Sequence, residues 1–342
     1  MERITWEHPY YTSFIDIPDE CYGRQRLKLL LEMPACTLDI GAIFEGIGGN
    51  EIACYAPIFQ LDARRPLTFL YLHGYMKRVF WQAYELVAFG GIRDFYIVIQ
   101  EDLRILIEPY RQACGFPEAR ILKVPNMHKY PGYLKKIAMM SYIATQTKHA
   151  HYVSLDTSIT LMQTVPFAKT FETHWEDSPD DILFLADPWQ IPDHYHNIES
   201  RTPYRSSMAA ANADYFHKIP DFFGEKSYET FSHRMHDHPM WVPSPIWGMP
   251  RTYLDAGEFK AFLNFVVQSD CITHDEAFLC HYWHRYLAPN RRIWTTHGIP
   301  VFNINKFSDK KDNDAVFVHY SDSGKNDTLF AAEYISHLNQ RS

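Results

Sequence analysis

Phe95–Ile99 (FYIVI), Glu101–Cys114 (EDLRILIEPYRQAC) and Ala119–Val124 (ARILKV) follow one another with only a few residues between them. The first and third are short apolar runs of strand type. The middle one is helical, with Glu101 and Asp102 in its first turn and Gly115 just past its end. Strand, helix, strand in that order is a βαβ unit, whose parallel strands are covered by helices on both faces. The pattern continues on either side. After Pro131, Tyr133–Thr147 reads as a helix and Tyr152–Leu155 as a strand running into Asp156. Upstream, Leu67–Leu72 (LTFLYL) reads as a first strand ending in His73-Gly74, and Tyr75–Phe89 as the helix after it, stopped by Gly90-Gly91. The fold class is therefore α/β, a mostly parallel Rossmann-like sheet with helices on both faces. Ligands on such sheets bind beyond the carboxyl ends of the strands. His73, Gln100 and Asp156 lie at those ends.

Past Asp156 the character changes. Ile182–Ala186 is another strand, while 187–245 is rich in Pro, His, Asn and Ser and loop-like, with a helix near 206–217. Met240–Pro250 (MWVPSPIWGMP) is a tight aromatic, Pro and Gly segment. Asp255–Ser269 is a helix, a second begins at Asp275, and Ala315–Tyr320 is a last strand. Residues 1–65 hold one helix (Cys21–Met33) and the Gly-rich EGIGGN, and read as an extension packed on the core.

With 342 residues, 46% of them hydrophobic, the chain can bury a large core without staples. Its six cysteines show no CxxC pair and no framework spacing, which places free thiols in a reducing, cytoplasmic compartment. No apolar leader opens the chain and no long uninterrupted apolar run crosses it, so neither secretion nor membrane spanning is expected. A formal charge of −8 argues against nucleic-acid binding by bulk electrostatics. Lys135-Lys136, Arg291-Arg292 and Lys310-Lys311 read as solvated surface.

Two acidic sites stand out. His274-Asp275-Glu276 opens a helix whose apolar stripe is Phe278, Leu279, Tyr282, Trp283 and Tyr286. Acids there gain about 0.3–1 kcal/mol from the macrodipole. Asp275 and Glu276 therefore read either as first-turn helix acids or as a presented pair of carboxylates. Asp156-Thr157-Ser158, after a strand, takes the place of a DxD motif, in which acids hold a divalent cation against a diphosphate. The second acid is Ser158 here, and a single Asp also serves as a turn or N-cap residue. Asp156 alone implies a weak, nucleotide-dependent site for Mn or Mg. His319 ends the last strand and Lys325 follows six residues on. The two suit closure over a diphosphate, and equally a surface turn around Gly324. Trp241 and Trp247 suit stacking on sugar rings or a place in the core. His233, His236, His238, His281 and His284 lack zinc spacing, and HExxH, P-loop, GxSxG and GxGxxG motifs are all absent.

The run SPIWGMPRTYL with FLNFVVQSDCITHDEAFLCHYWHRYL resembles the acceptor-side half of the retaining family 6 glycosyltransferases. That family includes the blood-group A/B transferases and α-1,3-galactosyltransferases. FLYLHGYMKRVFWQAYELVAFGGIRDFYIVIQED is similar to its first strand, helix and second strand, and HYVSLDTSITL falls where it has its DxD. The likeness spans roughly residues 67–305, with gaps. It implies a GT-A fold and transfer from a UDP-sugar with retention. It also implies Glu276 as nucleophile or oxocarbenium stabiliser, with Asp275 and His274 at the donor sugar. Leu72, Tyr75, Asp156, Ser158, His319 and Lys325 would hold the nucleotide. Ser158 departs from the family's second acid, which puts manganese dependence in doubt.

The resemblance divides the chain into the 1–65 extension, a nucleotide-sugar-binding half at 66–160, and an acceptor-binding and catalytic half with the tail at 161–342. The expected acceptor is a hydroxyl on a glycan or on a hydroxymethylated DNA base, with no obligate protein partner. Two other classes stay open: a nucleotidyltransferase on a similar sheet, and a non-catalytic nucleotide- or sugar-binding protein.

Overall fold

A computed structural model describes residues 2–8, 11–17, 31–33, 35–44, 52–60, 66–161, 167–185, 246–269, 275–282, 293–295, 301–304 and 317–320. Strands β1 (Glu2–His8) and β2 (Tyr11–Ile17) form an antiparallel hairpin. The main sheet has seven strands. They are β3 (Ile52–Ile58), β4 (Asp94–Gln100), β5 (Ile121–Val124), β6 (His151–Leu155), β8 (Ile182–Leu185), β9 (Ile246–Pro250) and β10 (Ile293–Thr295). Their order is β10-β8-β9-β6-β3-β4-β5, and only β9 runs against its neighbours. A smaller sheet orders β11 (Val301–Ile304), β12 (Phe317–Tyr320) and β7 (Ile159–Leu161).

Alternation along the strands feeds two cores. Cys54, Ala56 and Ile58 of β3, with Phe95, Ile97 and Ile99 of β4, pack under α1 (Gly41–Phe44), α2 (Pro66–Ala88), α3 (Arg104–Ala113) and α5 (Phe167–Asp177). Ala53, Tyr55 and Val98 face the other way. They pack against α4 (Leu134–Gln146), α6 (Arg251–Asp255), α7 (Gly257–Ser269) and α8 (Asp275–Tyr282). Strands buried on both faces need apolar side chains throughout, which is why the runs around 95–155 are so readable. The fold class is the expected α/β one, a mostly parallel sheet with helices on both faces. Among the described residues no helix is long and apolar enough to cross a membrane.

Besides the strands β1, β2, β7, β10 and β11, which the sequence pattern does not announce, three elements differ from it. The strand expected at 67–72 is the first part of α2, a single 23-residue helix. A short apolar run fits a buried strand and a buried helix equally well. Leu72, Met76, Val79, Phe80, Ala83, Leu86 and Val87 form the helical stripe that decides it. Pro66 opens the helix, where a missing N–H costs nothing. Gly91 (φ 69°) ends it in the left-handed region, and the N–H groups of Gly90 and Ile92 both donate to Leu86 O.

An interior strand of the sheet, β3 between β6 and β4, lies inside the stretch read as an N-terminal extension; Ala53, Cys54, Ala56 and Pro57 hide it in the sequence. The third difference is β9, disguised as a Pro/Gly turn. Gly248 is required there because a Cβ would sit 2.7 Å from the Trp175 ring. The helix expected at 21–33 lies largely outside the described residues, and EGIGGN and the 206–217 helix lie wholly outside them.

Candidate active site

The carboxyl end of β6 and the start of α8 meet at one buried ammonium. Lys136, in the first turn of α4, lies 2.5 Å from Asp156 Oδ1 and 3.1 Å from Asp275 Oδ2. The two acids singled out in the sequence, one after β6 and one opening α8, thus share a single cation. The Lys136 side chain is 2% exposed and Asp275 8%, while Asp156 keeps 26% and is the open side of the triad. Burial opposes the Lys136 charge, but the charges and hydrogen bonds of Asp156 and Asp275 outweigh it and hold the pKa above the ordinary lysine value. Burial pushes the nearby Tyr55 phenol up, and the same two carboxylates add to that shift.

A lysine in this position is expensive. Desolvating an ion costs several kcal/mol, repaid only by close partners. A cation in the first turn also opposes the helix dipole, by about 0.3–1 kcal/mol. Lys135 beside it is buried too, donating through Nζ to Gln60 O just past β3. Gln60 N in turn donates to Gln100 Oε1 at 3.3 Å, tying the ends of β3 and β4 together. The reading of Lys135-Lys136 as solvated surface is thereby corrected. The one local trace of them is two cations where the macrodipole disfavours them, in a helix otherwise apolar in LKKIAMM, and it does not name their partners.

The turn carrying Asp156, Thr157 and Ser158 is closed by Ile159 N donating to Asp156 O at 3.1 Å. Helix α2 grips it with Arg78, Gln82 and Glu85, all buried and spaced at i, i+4 and i+7 on one face. Gln82 Nε2 donates to Asp156 O at 2.7 Å and Ile159 O at 3.2 Å. Arg78 Nη2 donates to Ile159 O and, at 2.7 Å, to Thr160 Oγ1. Glu85 Oε2 accepts Leu161 N at 3.3 Å. Among the described residues Gln82 Oε1 finds no hydrogen-bond partner, and a buried acceptor left so costs about 1–3 kcal/mol.

The other expected site residues divide. His319, on β12, pairs with Ile159 of β7, which brings the tail strand beside the Asp156 turn. Ser158 lies in that turn. Glu276 is the second residue of α8, next to the Lys136-bound Asp275. Leu72 and Tyr75 do not stand at a strand end: both lie within α2, and Leu72 belongs to the core. Trp247 is fully buried in β9 and offers no face for stacking a sugar. Trp241, His274 and Lys325 lie outside the described residues.

Among the described residues no group of three His, Cys, Asp or Glu side chains could hold a metal ion. Asp156 already gives one oxygen to Lys136, and Ser158 supplies no carboxylate. These residues do not fit a resident divalent cation.

No family model matches the chain, and no curated protein matches it. Among solved structures it is similar to a glycosyltransferase involved in the glycosylation of the major capsid of PBCV-1, at 11% identity over 84% of this chain and 98% of that one, TM-score 0.42. It is similar to the galactosyltransferase LgtC in complex with donor and acceptor sugar analogs, at 12% identity, coverage of 85% and 95%, and TM-score 0.43. It is also similar to the 4-diphosphocytidyl-2C-methyl-D-erythritol synthase from Anaerococcus prevotii, at 10% identity, coverage of 86% and 99%, and TM-score 0.43. Likenesses at this level assign no substrate and no residue role.

Proposed function

We propose that the chain is a glycosyltransferase that moves a sugar from a UDP-sugar to an acceptor hydroxyl with retention of configuration. The observation that carries this reading is Lys136 bridging Asp156 and Asp275 at the carboxyl edge of a mostly parallel sheet. Such an edge is where α/β sheets bind nucleotides. In transfer, the bond from the anomeric carbon to the diphosphate breaks and its electron pair stays on the leaving oxygen. A bond to the acceptor oxygen forms, and the acceptor proton passes to the departing diphosphate.

Lys136 is spent on its two carboxylates, with which it sums to minus one, so it fixes Asp156 and Asp275 at the sheet edge. The charge on the leaving diphosphate falls to the tail or to a cation that enters with the nucleotide. Asp275 is committed to Lys136 and orients it at the donor sugar. Glu276, the next residue, is then the carboxylate that stabilises the oxocarbenium-like centre or attacks it. His319 and Lys325 of the tail close over the diphosphate, and any Mn or Mg enters on the nucleotide, with Asp156 as its one fixed carboxylate.

In this reading the donor half is 66–160 completed by β3, and 161–342 provides the acceptor side, for a glycan or a hydroxymethylated base. We place the protein in the cytoplasm, where Cys36, Cys54 and Cys114, all buried free thiols, stay reduced.

A panel of UDP-sugars is incubated with the protein and scored for slow hydrolysis to UDP, with and without excess chelator. Hydrolysis of at least one donor that survives chelation in part is expected. Pyrophosphate release from a nucleoside triphosphate, with no UDP-sugar consumed, would establish the nucleotidyltransferase class instead. Binding without turnover would leave a non-catalytic binder.

A further inference from the structure

The polar stripe of α2 belongs to none of the groups that would touch a donor, yet it is buried and spent on one short turn. Within it Gln82 is distinct. Its Nε2 reaches both ends of the turn, Asp156 O at 2.7 Å and Ile159 O at 3.2 Å. Asp156 O takes the turn's own closing bond as well, from Ile159 N. Gln82 therefore sets the backbone of the residue whose carboxylate meets Lys136. Through Ile159 it also fixes the point on β7 opposite His319 on β12.

Stability alone does not account for an amide at this position. Among the described residues its Oε1 finds no hydrogen-bond partner, an orphan that a methionine of nearly the same length would not leave. What the amide provides is its Nε2, and both bonds of that nitrogen go to the one turn.

We propose that Gln82 is a positioning residue: by clamping the 156–159 turn it aims Asp156 at Lys136 and registers the tail strand beside the donor site. The effect on turnover rests on the glycosyltransferase reading; the effect on the Lys136–Asp156 pair does not.

The test uses Gln82→Met in the full chain, labelled with 15N-lysine. In the wild type, the Lys136 ammonium should give a slowly exchanging resonance, identified by its loss in Lys136→Met and displaced by Asp156→Asn. In Gln82→Met that resonance should move as it does in Asp156→Asn, while the melting temperature holds or rises. Donor turnover should fall by about tenfold to a hundredfold, as a misplacement of about 1 Å commonly does, with KM for the donor changed less than about threefold. Gln82→Glu, equal in size, loses the donor at neutral pH. It should recover part of the wild-type resonance on acidification, when the introduced acid protonates and donates again. An unmoved Lys136 resonance in both variants would overturn the proposal whatever the turnover. If the wild type consumes no sugar nucleotide, the functional reading fails and the resonance still decides on Gln82.

Discussion

At the amino ends of β4, β5 and β6 one guanidinium meets one carboxylate, and at the carboxyl ends of the same sheet one ammonium meets two. In the first region Arg120 Nη1 lies 2.9 Å from Asp94 Oδ1, and its guanidinium covers the rings of Phe44 (4.7 Å) and Tyr96 (5.6 Å). His149 adds a 3.1 Å bond from Nε2 to Tyr96 Oη and stands 4.0 Å from Asp94 Oδ2. Charge is matched there, and aromatic faces occupy the remaining side of the cation. In the second region the charges of Lys136, Asp156 and Asp275 sum to minus one, and Asp156 is partly open. Both regions are buried ion pairs by type. Only the unbalanced, open one has capacity left for a ligand.

The largest effect that would sharpen this contrast is on Glu276. Glu276→Gln should lower transfer by on the order of 10³-fold or more while donor binding stays within a few fold, because a lost nucleophile or charge stabiliser acts on the transition state. Single-turnover assays beside UDP-sugar titrations separate the two. A variant with near wild-type turnover would move the role to Asp275.

Next come parallel disruptions of the two regions. Lys136→Met leaves two carboxylates without their cation, and Arg120→Met leaves Asp94 without its own. Each should cost about 3–5 kcal/mol in denaturant unfolding, the usual penalty for stripping one partner from a buried pair. Only Lys136→Met should abolish donor hydrolysis per folded molecule. Equal loss of activity in both variants would mean that the carboxyl-edge triad is a structural pair like the other.

How much of this was readable follows from what each residue must do. Strands β4, β5, β6 and β8 announce themselves because burial in the sheet demands contiguous apolar runs. Helix α2 and β9 were misread for opposite reasons. LTFLYL is apolar enough for either period, while Pro245, Gly248 and Pro250 mask a strand whose glycine serves Trp175. Asp156 and Asp275 were legible because a strand end and a helix start are recognisable addresses. Lys136 was not. Its partners lie in other elements, and only the folded sheet brings them together, so a lysine beside another lysine looks like surface. The α2 stripe was hidden by the same fact, since Arg78, Gln82 and Glu85 read as the polar face of an amphipathic helix.

A smaller effect tests whether the tail extends the unbalanced region. Deleting everything from Ala315 would remove β12, the middle strand of its sheet, and leave β7 and β11 unpaired. Point substitutions are the cleaner probe. His319→Ala with Lys325→Ala should weaken UDP binding by about tenfold, the scale of one lost charge-assisted hydrogen bond, with circular dichroism unchanged. Unaltered UDP affinity by calorimetry would leave SDSGKND as a plain surface turn after β12.

The smallest effect is alkaline, and it separates the triad from the thiol core under α2 and α3. Burial pushes the Cys114 thiol up to about 11 and the Cys36 thiol up to about 12, from an ordinary 9.0. A folded pKa raised above the unfolded one gives stability that is complete below the unfolded value and is lost as pH rises toward the folded value. The thiol contribution should therefore begin to fade above pH 9.0 and be gone by about 12. Lys136 is raised from 10.5 by its two carboxylates against the opposing burial, so its contribution is intact until pH passes 10.5 and fades only beyond. Thermal melting across this range should show a decline that starts near pH 9 in the wild type. Burial raises the Cys54 thiol of the same core as well, so the test is a Cys36→Ala, Cys54→Ala, Cys114→Ala protein. Its onset should move toward 10, where the Tyr55, Tyr96 and Tyr152 phenols, raised from 10.0, and then the lysine take over. An onset near 9 in that triple variant as well would mean that another buried group, not these thiols, sets the alkaline limit.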